Sequence, residues 1–275
     1  MSLRKIYYLL PAYLRFTVRR IVFLPQDIWT SIFGNNELMP PKGLIFTGSG
    51  DFIELGNKLV NSLKVHCQLK PNHAVLDIGS GIGRVAIPLT KYLDKEGRYD
   101  GFDVIKTGID WCQRHITPNH PNFQFHYVPL KNDLYRESGN NAADFVFPYN
   151  DNSFDCVVLT SVFTHMLPGE IENYLGEIQR VLKKGGKCFV TFFILNADAK
   201  KFISKNNHFN FPFSKGHYSL MDEKVKGANV AFEEGYLEEV FLQKKLKVYA
   251  KYLGYWAGRE KDKTVDFQDV IILEK

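Results

Sequence analysis

The stretch "AVLDIGSGIGRVAIPL" (residues 74–89) decides how this chain folds. Ala74, Val75 and Leu76 form a short apolar run closed by a turn signal, which reads as a buried strand. Gly79, Gly81 and Gly83 follow at alternate positions. Beyond them Val85, Ile87, Leu89, Tyr92 and Leu93 suit the start of a helix. Strand, glycine turn and helix together aim backbone N–H groups and a helix N-terminus at one point, where a nucleotide-like ligand can bind.

The same alternation runs on through the chain. "YDGFDVI" (99–105) reads as a second strand, "KTGIDWCQRHI" as a helix and "FQFHYVPL" as a third strand. "SFDCVVLTSVF" contains a buried fourth strand at Cys156 to Leu159. In "GEIENYLGEIQRVLKKGG" Ile171, Tyr174, Leu175, Ile178, Val181 and Leu182 share one helical stripe, and the helix is expected to stop at Gly185. "KCFVTFFIL" is a fifth strand, "LEEVFLQKKL" a helix, and "KVYAKYLGYW" and "FQDVIILEK" the last two strands. Strands alternating with helices predict an α/β, doubly wound, Rossmann-like sheet. Only residues 257–266 separate the last two strands, too few for a crossover helix, so these two pair antiparallel.

Composition narrows the function. The 275 residues are 45% hydrophobic and 24% charged, as in ordinary globular proteins able to bury a full core. The net charge of +5 is concentrated at the start. Residues 1–34 hold Arg4, Lys5, Arg15, Arg19 and Arg20 against Asp27 alone. The remainder is close to neutral, which argues against a nucleic-acid partner. Cys67, Cys112, Cys156 and Cys188 stand far apart with no C-x-x-C pair, so neither a disulfide framework nor a metal site is expected and a cytoplasmic location is the default. Ile6 to Leu14, the longest uncharged apolar run near the start, is interrupted by Pro11 and is too short to span a bilayer. Arginines and bulky groups follow it, unlike a secretory leader. Residues 1–40 are read as a basic aromatic arm that either packs on the body, as a lid or dimer contact, or makes weak contact with a membrane surface. Packing is the reading adopted. The paired prolines after it mark a break.

The glycine turn departs from the dinucleotide fingerprint. Gly79 and Gly81 match G-x-G-x-x-G, but Arg84 stands at the third position. Asp77, two residues before Gly79, would repel a pyrophosphate and complement a cation. Asp103, at the end of the second strand, is placed to accept both hydroxyls of a ribose. A nucleoside with a positively charged side chain, such as S-adenosylmethionine, fits these groups better than a dinucleotide does.

"VLDIGSGIGR", "GFDV", "FPYNDNSFDCVVLTSVFTHM" and "YLGEIQRVLKKGGK" occur in this order, and the chain resembles the class I S-adenosylmethionine-dependent methyltransferases over roughly residues 72–195. The resemblance implies a seven-stranded sheet of order 3-2-1-4-5-7-6 with the seventh strand antiparallel, and residues 41–275 as the methyltransferase domain. It implies that Asp77, Gly79, Ser80, Gly81 and Gly83 line the methionine part of S-adenosyl-L-methionine. It further implies that Asp103 holds the ribose and Val104 lies against the adenine. Either the Ala143 backbone or Asp144 meets the adenine amino group, and Thr160 offers a backbone carbonyl to the ammonium. Arg84 either reaches the cofactor carboxylate or pairs with a surface acid.

Methyl transfer from a sulfonium is an in-line displacement that asks for alignment and a dry site. A hydroxyl acceptor also benefits from a base, and His165, just beyond the fourth strand, sits at the sheet edge where ligands bind. The expected reaction is O-methylation of a small-molecule or sugar-type acceptor. Residues 196–230, with His208, His217, Tyr218 and several phenylalanines, are read as an acceptor lid. These aromatics either close over the acceptor or pack on one another. Asp51 is expected to cap the helix that follows it. The rival readings are an NAD(P)-dependent oxidoreductase, disfavoured by Asp77 and Arg84, and a non-catalytic module that binds S-adenosylmethionine.

Overall fold

Val75 and Leu76 are neighbours in one strand and face opposite apolar layers, and this alternation organises the molecule. A computed structural model describes residues 12–34, 38–46, 50–131, 139–205 and 209–275. Arg4, Lys5 and His208, singled out above, lie outside them. The main sheet contains Ala74–Ile78 (β1), Arg98–Asp103 (β2), Phe123–Tyr127 (β3), Phe154–Leu159 (β4), Leu182–Phe192 (β5), Lys247–Tyr252 (β6) and Asp269–Glu274 (β7). Its order is 3-2-1-4-5-7-6, with β7 antiparallel to both neighbours and the other pairings parallel. The hairpin expected from the short spacing between the last two strands is present.

On one side of the sheet Val75, Cys156, Val158 and Val270 meet Val60 and Leu63 of Phe52–His66 (α2) and Ile109 and Cys112 of Lys106–His115 (α4). On the other side Leu76, Val157, Leu159 and Ile271 meet Ile171, Leu175 and Ile178 of Pro168–Val181 (α5) and Val240 of Glu234–Gln243 (α7). Strands covered on both faces account for the nearly continuous apolar runs of β1 and β4. Asp51 caps α2 as expected, its carboxylate accepting the Glu54 N–H at 2.7 Å.

Three boundaries differ from those read in the sequence. The helix after Gly83 has only one regular turn, Ala86–Leu89 (α3), after which Thr90, Lys91 and Tyr92 donate to carbonyls three residues back and the helix tightens out. Helix α5 ends at Val181, short of Gly185. Asn152 and Ser153 donate their N–H groups to the Arg180 and Val181 carbonyls, and Leu182 pairs with β4 in extended form. Gly185 instead lies in β5 and donates its N–H to the Lys275 carbonyl. The fifth strand also breaks at Phe193. Ile194–Leu195 then enters a second, four-stranded sheet with Val230–Glu233, Tyr218–Leu220 and Phe213–Ser214.

That second sheet and Ala197–Lys205 (α6) occupy the 196–230 region. Phe209 and Phe211 pack there with Phe193 and Trp256, so of the two readings of these aromatics self-packing holds for this pair. The fully buried Asp269 ties the region to the main sheet. Its carboxylate accepts from the Ile194 and Gly254 N–H groups, each at 2.7 Å, and from the Trp256 indole at 2.6 Å.

The arm forms a helix, Ala12–Phe33 (α1). Phe16 meets Phe46 edge-on at 5.7 Å, and Asp27 accepts the Lys42 and Gly43 N–H groups at 2.6 and 3.0 Å. The helix therefore packs on the body through one face. No helix among the described residues is long and apolar enough to cross a membrane.

Candidate functional site

The turn after β1 is fastened to β2 before it does anything else. Gly79 and Ser80 both donate their N–H groups to the Phe102 carbonyl, at 2.9 and 3.1 Å. Gly79 (φ +77°) and Gly81 (φ +59°) adopt the left-handed backbone that favours glycine. A Cβ on Gly79 would come within 2.5 Å of Val162, whereas one on Gly81 would meet nothing within 4 Å. Gly83 donates to the Ser80 carbonyl and accepts from Ile87, opening the short helix. The Ser80 hydroxyl is buried and has no hydrogen-bond partner among the described residues.

Two buried carboxylates flank this turn. Asp103 accepts the Gly81 N–H at 2.8 Å and the Ile105 N–H at 2.7 Å. Burial pushes its pKa up to about 6 in spite of those donors. Asp77 accepts the Tyr99 hydroxyl at 2.6 Å, and burial pushes its pKa to about 7. Tyr99 and Arg84 act against that rise, and the Asp103 charge adds to it. Placed so, the pair would gain from a bound cation, because a neighbouring positive charge favours the ionised form.

Tyr99 is a site residue that the sequence reading missed. It lies in β2 two residues before Gly101, and its ring crosses the place where a side chain at 101 would stand. A Cβ there would be 2.9 Å from both the Tyr99 hydroxyl and Ser80 Cβ. The bare Gly101 between two acids in "YDGFD" was the available signal. Arg84 is partly buried, with its guanidinium 5.5 Å from the Phe52 ring centre, where it feels the Asp77 charge.

At the end of β4 the chain bends through the partly buried Thr160, and the Ser161 N–H donates to the Thr191 hydroxyl at 2.8 Å. His165 follows on a single 3-10 turn. Its Nδ1 lies 2.8 Å from the Gly227 carbonyl oxygen. A carbonyl only accepts, so Nδ1 carries the proton and Nε2 keeps its lone pair. Burial lowers the pKa of His165, which leaves the ring neutral at pH 7. This partner is 62 residues away in sequence, and nothing in the local pattern around His165 points to it.

Val104 is half-buried against the apolar layer that contains Phe102 and Phe147. Asp144 is exposed, on a 3-10 turn held near β2 by the edge-on contact of Phe145 with Phe102 at 5.7 Å. The neighbouring Ala143 N–H donates to Asn141. His217 stacks on Tyr236 at 4.3 Å, and the Tyr236 hydroxyl donates to Glu172 at 2.8 Å, joining the 196–230 region to α5 and α7. The four cysteines are buried and free, and no cluster of potential metal ligands occurs among the described residues.

Residues 76–190 match a family model described as a methyltransferase domain. A ubiquinone/menaquinone biosynthesis C-methyltransferase, UbiE, of Wigglesworthia glossinidia brevipalpis is 23% identical over 170 residues, 61% of this chain and 58% of that protein. The sterol 24-C-methyltransferase erg6 of Schizosaccharomyces pombe is 26% identical over 152 residues, 54% of this chain and 35% of that protein. The chain therefore spans roughly a third to just over half of the length of these curated relatives. Among solved structures, a SAM-dependent methyltransferase from Methanosarcina mazei superposes with a TM-score of 0.52 at 22% identity, covering 77% of this chain and 96% of that one. That likeness shows a shared fold.

Proposed function

We propose that the chain, whose residues 76–190 match the methyltransferase-domain family model, is a class I S-adenosylmethionine-dependent methyltransferase that acts on a small-molecule acceptor. The observation that carries the cofactor assignment is the pair of buried carboxylates on the glycine turn, one of them bonded to the Gly81 N–H. A pyrophosphate beside Asp77 would meet a like charge. A cationic methionine tail beside it meets an opposite one. In this reading Asp77, Gly79, Ser80, Gly81 and Gly83 surround the methionine part, and the Ser80 hydroxyl gains the partner it lacks. Asp103 takes the ribose hydroxyls with the lone pairs that its two backbone donors leave over. Val104 backs the adenine, Asp144 accepts from its amino group and the Thr160 carbonyl accepts from the ammonium. Residues 1–40 are the arm, 41–275 the catalytic domain and 196–230 the acceptor lid.

The cofactor, when bound, supplies an electrophilic methyl group on a positively charged sulfur. The chain's own work is then to align the acceptor, exclude water and take up a proton. For a hydroxyl acceptor, His165 Nε2 receives that proton as the oxygen–methyl bond forms. The Gly227 carbonyl fixes the tautomer that makes Nε2 available and links the base to the lid. The two curated relatives are named as C-methyltransferases, which supports a second reading, methylation at carbon.

The test is transfer of labelled methyl from S-adenosylmethionine to a panel of hydroxyl and carbon nucleophiles, with His165→Asn beside the parent. Asparagine retains an N–H for Gly227 and removes Nε2. O-methylation by the parent, with kcat reduced about a hundredfold or more in the variant and unchanged cofactor affinity, supports the base. Equal rates remove it. Turnover of carbon acceptors alone favours the second reading, and cofactor binding without turnover on any acceptor reduces the chain to a binding module.

A further inference from the structure

Helix α5 buries its apolar stripe against the sheet and turns a polar one to the segment that precedes β4. Asn173, Glu177 and Arg180 recur at helical spacing on one flank of the helix. Arg180 donates to the Phe147 and Tyr149 carbonyls at 3.0 and 2.7 Å, and Glu177 accepts the Phe147 N–H at 2.7 Å. These two side chains fix the residues that lead into β4. Asn173 is spent on an earlier feature. Its Nδ2 donates to the Ala142 and Phe145 carbonyls, each at 2.9 Å, so the amide places one hydrogen at either end of the 3-10 turn Ala142–Asp144.

That turn is weakly held by its own backbone. The Asp144 N–H lies 3.2 Å from the Asn141 carbonyl and the Phe145 N–H 3.4 Å from the Ala142 carbonyl. An ordinary N–H···O bond measures about 2.9–3.0 Å, and so short a stretch of 3-10 helix has poor hydrogen-bond geometry. The Asn141 side chain accepts the Ala143 N–H at 3.1 Å, and the two bonds from Asn173 are shorter than any of these. The turn also has a definite neighbour. Phe145 meets Phe102 edge-on, Ala142 and Val104 share the apolar layer of Phe102, and Asp103 follows Phe102 directly. The position of the turn beside the nucleoside-binding end of β2 is therefore set from α5.

We propose that Asn173 is a positioning residue for base recognition: by clasping both ends of the Ala142–Asp144 turn, it holds the turn where an adenine amino group is accepted and a hypoxanthine carbonyl is refused. The proposal rests on the S-adenosylmethionine reading given above. It makes a side chain that touches the turn, rather than the base, a determinant of which nucleoside the chain takes.

The probes are S-adenosylhomocysteine and S-inosylhomocysteine, which carry an amino and an oxo group at the same position of the base. Both are titrated calorimetrically into the full chain, into Asn173→Ala and into Asn173→Asp, which keeps the shape of the side chain and removes both donors. The parent should favour the adenine ligand by about tenfold or more. Each variant should lose most of that preference, binding S-adenosylhomocysteine about tenfold more weakly while its affinity for S-inosylhomocysteine changes by less than about twofold. A purely structural role would lower both affinities together and leave their ratio at the parent's value. An unchanged ratio in the variants, or no preference in a parent that binds both ligands, would overturn the proposal. Failure of the parent to bind either ligand is a separate result, which overturns the cofactor reading and this proposal with it.

Discussion

Asp77 is buried at a cost to the stability of the fold. Burial raises its pKa from 3.8 to about 7. Between those values the folded chain holds a proton that the unfolded chain has released, so the stability contributed by this group falls as pH rises through that window. Asp77→Asn should therefore raise the melting temperature of the ligand-free protein at pH 8, by roughly 1–3 kcal/mol in stability given about 1.4 kcal/mol per pH unit. The same substitution should weaken binding of S-adenosylhomocysteine, whose ammonium loses its counter-charge. For the parent, affinity for that ligand should decline as pH is lowered from 8 to 6 and both Asp77 and Asp103 take up protons. A flat profile in titration calorimetry would show that neither acid meets the ligand. Gly101→Ala places a methyl group against Tyr99 and Ser80. It should cost about 1–3 kcal/mol of overpacking and weaken the ligand as well. Chemical denaturation of the variant measures the first effect. The two acids were legible in the sequence because Asp77 directly precedes the glycine turn and Asp103 stands at the end of the second strand. Tyr99 and Gly227 were not, since the first acts across strands and the second is brought to His165 only by the fold.

Among the elements, the approach of α2 to the glycine turn can be tested separately. Gly56 lies against the Arg84 carbonyl, where a Cβ would come within 2.4 Å of the oxygen. Glycine to alanine within a helix ordinarily stabilises by about 1 kcal/mol. Here Gly56→Ala should instead destabilise, because α2 must move off the turn and take Phe52 from beneath Arg84. Thermal melts give the sign, and a stabilised variant would contradict the close packing. Element types were readable from apolar spacing, whereas several ends were not. Helix α5 stops at Val181 because residues 152–153 occupy its last carbonyls, a contact no local pattern encodes.

For the molecule as a whole, connections long enough for helices and one final connection too short for any made the doubly wound sheet and its closing hairpin legible, whereas the order of the strands rested on the resemblance to the class I S-adenosylmethionine-dependent methyltransferases. The small second sheet was hidden, because its strands are two to four residues long, one read as the end of the fifth strand and others among residues read as a lid. What the whole arrangement produces is one edge of the sheet with Asp77 and Asp103 in the last residues of β1 and β2, the glycine turn directly after β1 and His165 just beyond β4. The most direct measurement is calorimetric titration of the full chain with S-adenosylhomocysteine, with NAD in parallel and Asp103→Ala beside the parent. Micromolar binding of S-adenosylhomocysteine alone, lost in the variant while its melting temperature is retained, is the expected result. Binding of NAD, or no binding of S-adenosylhomocysteine by the folded parent, would contradict the account.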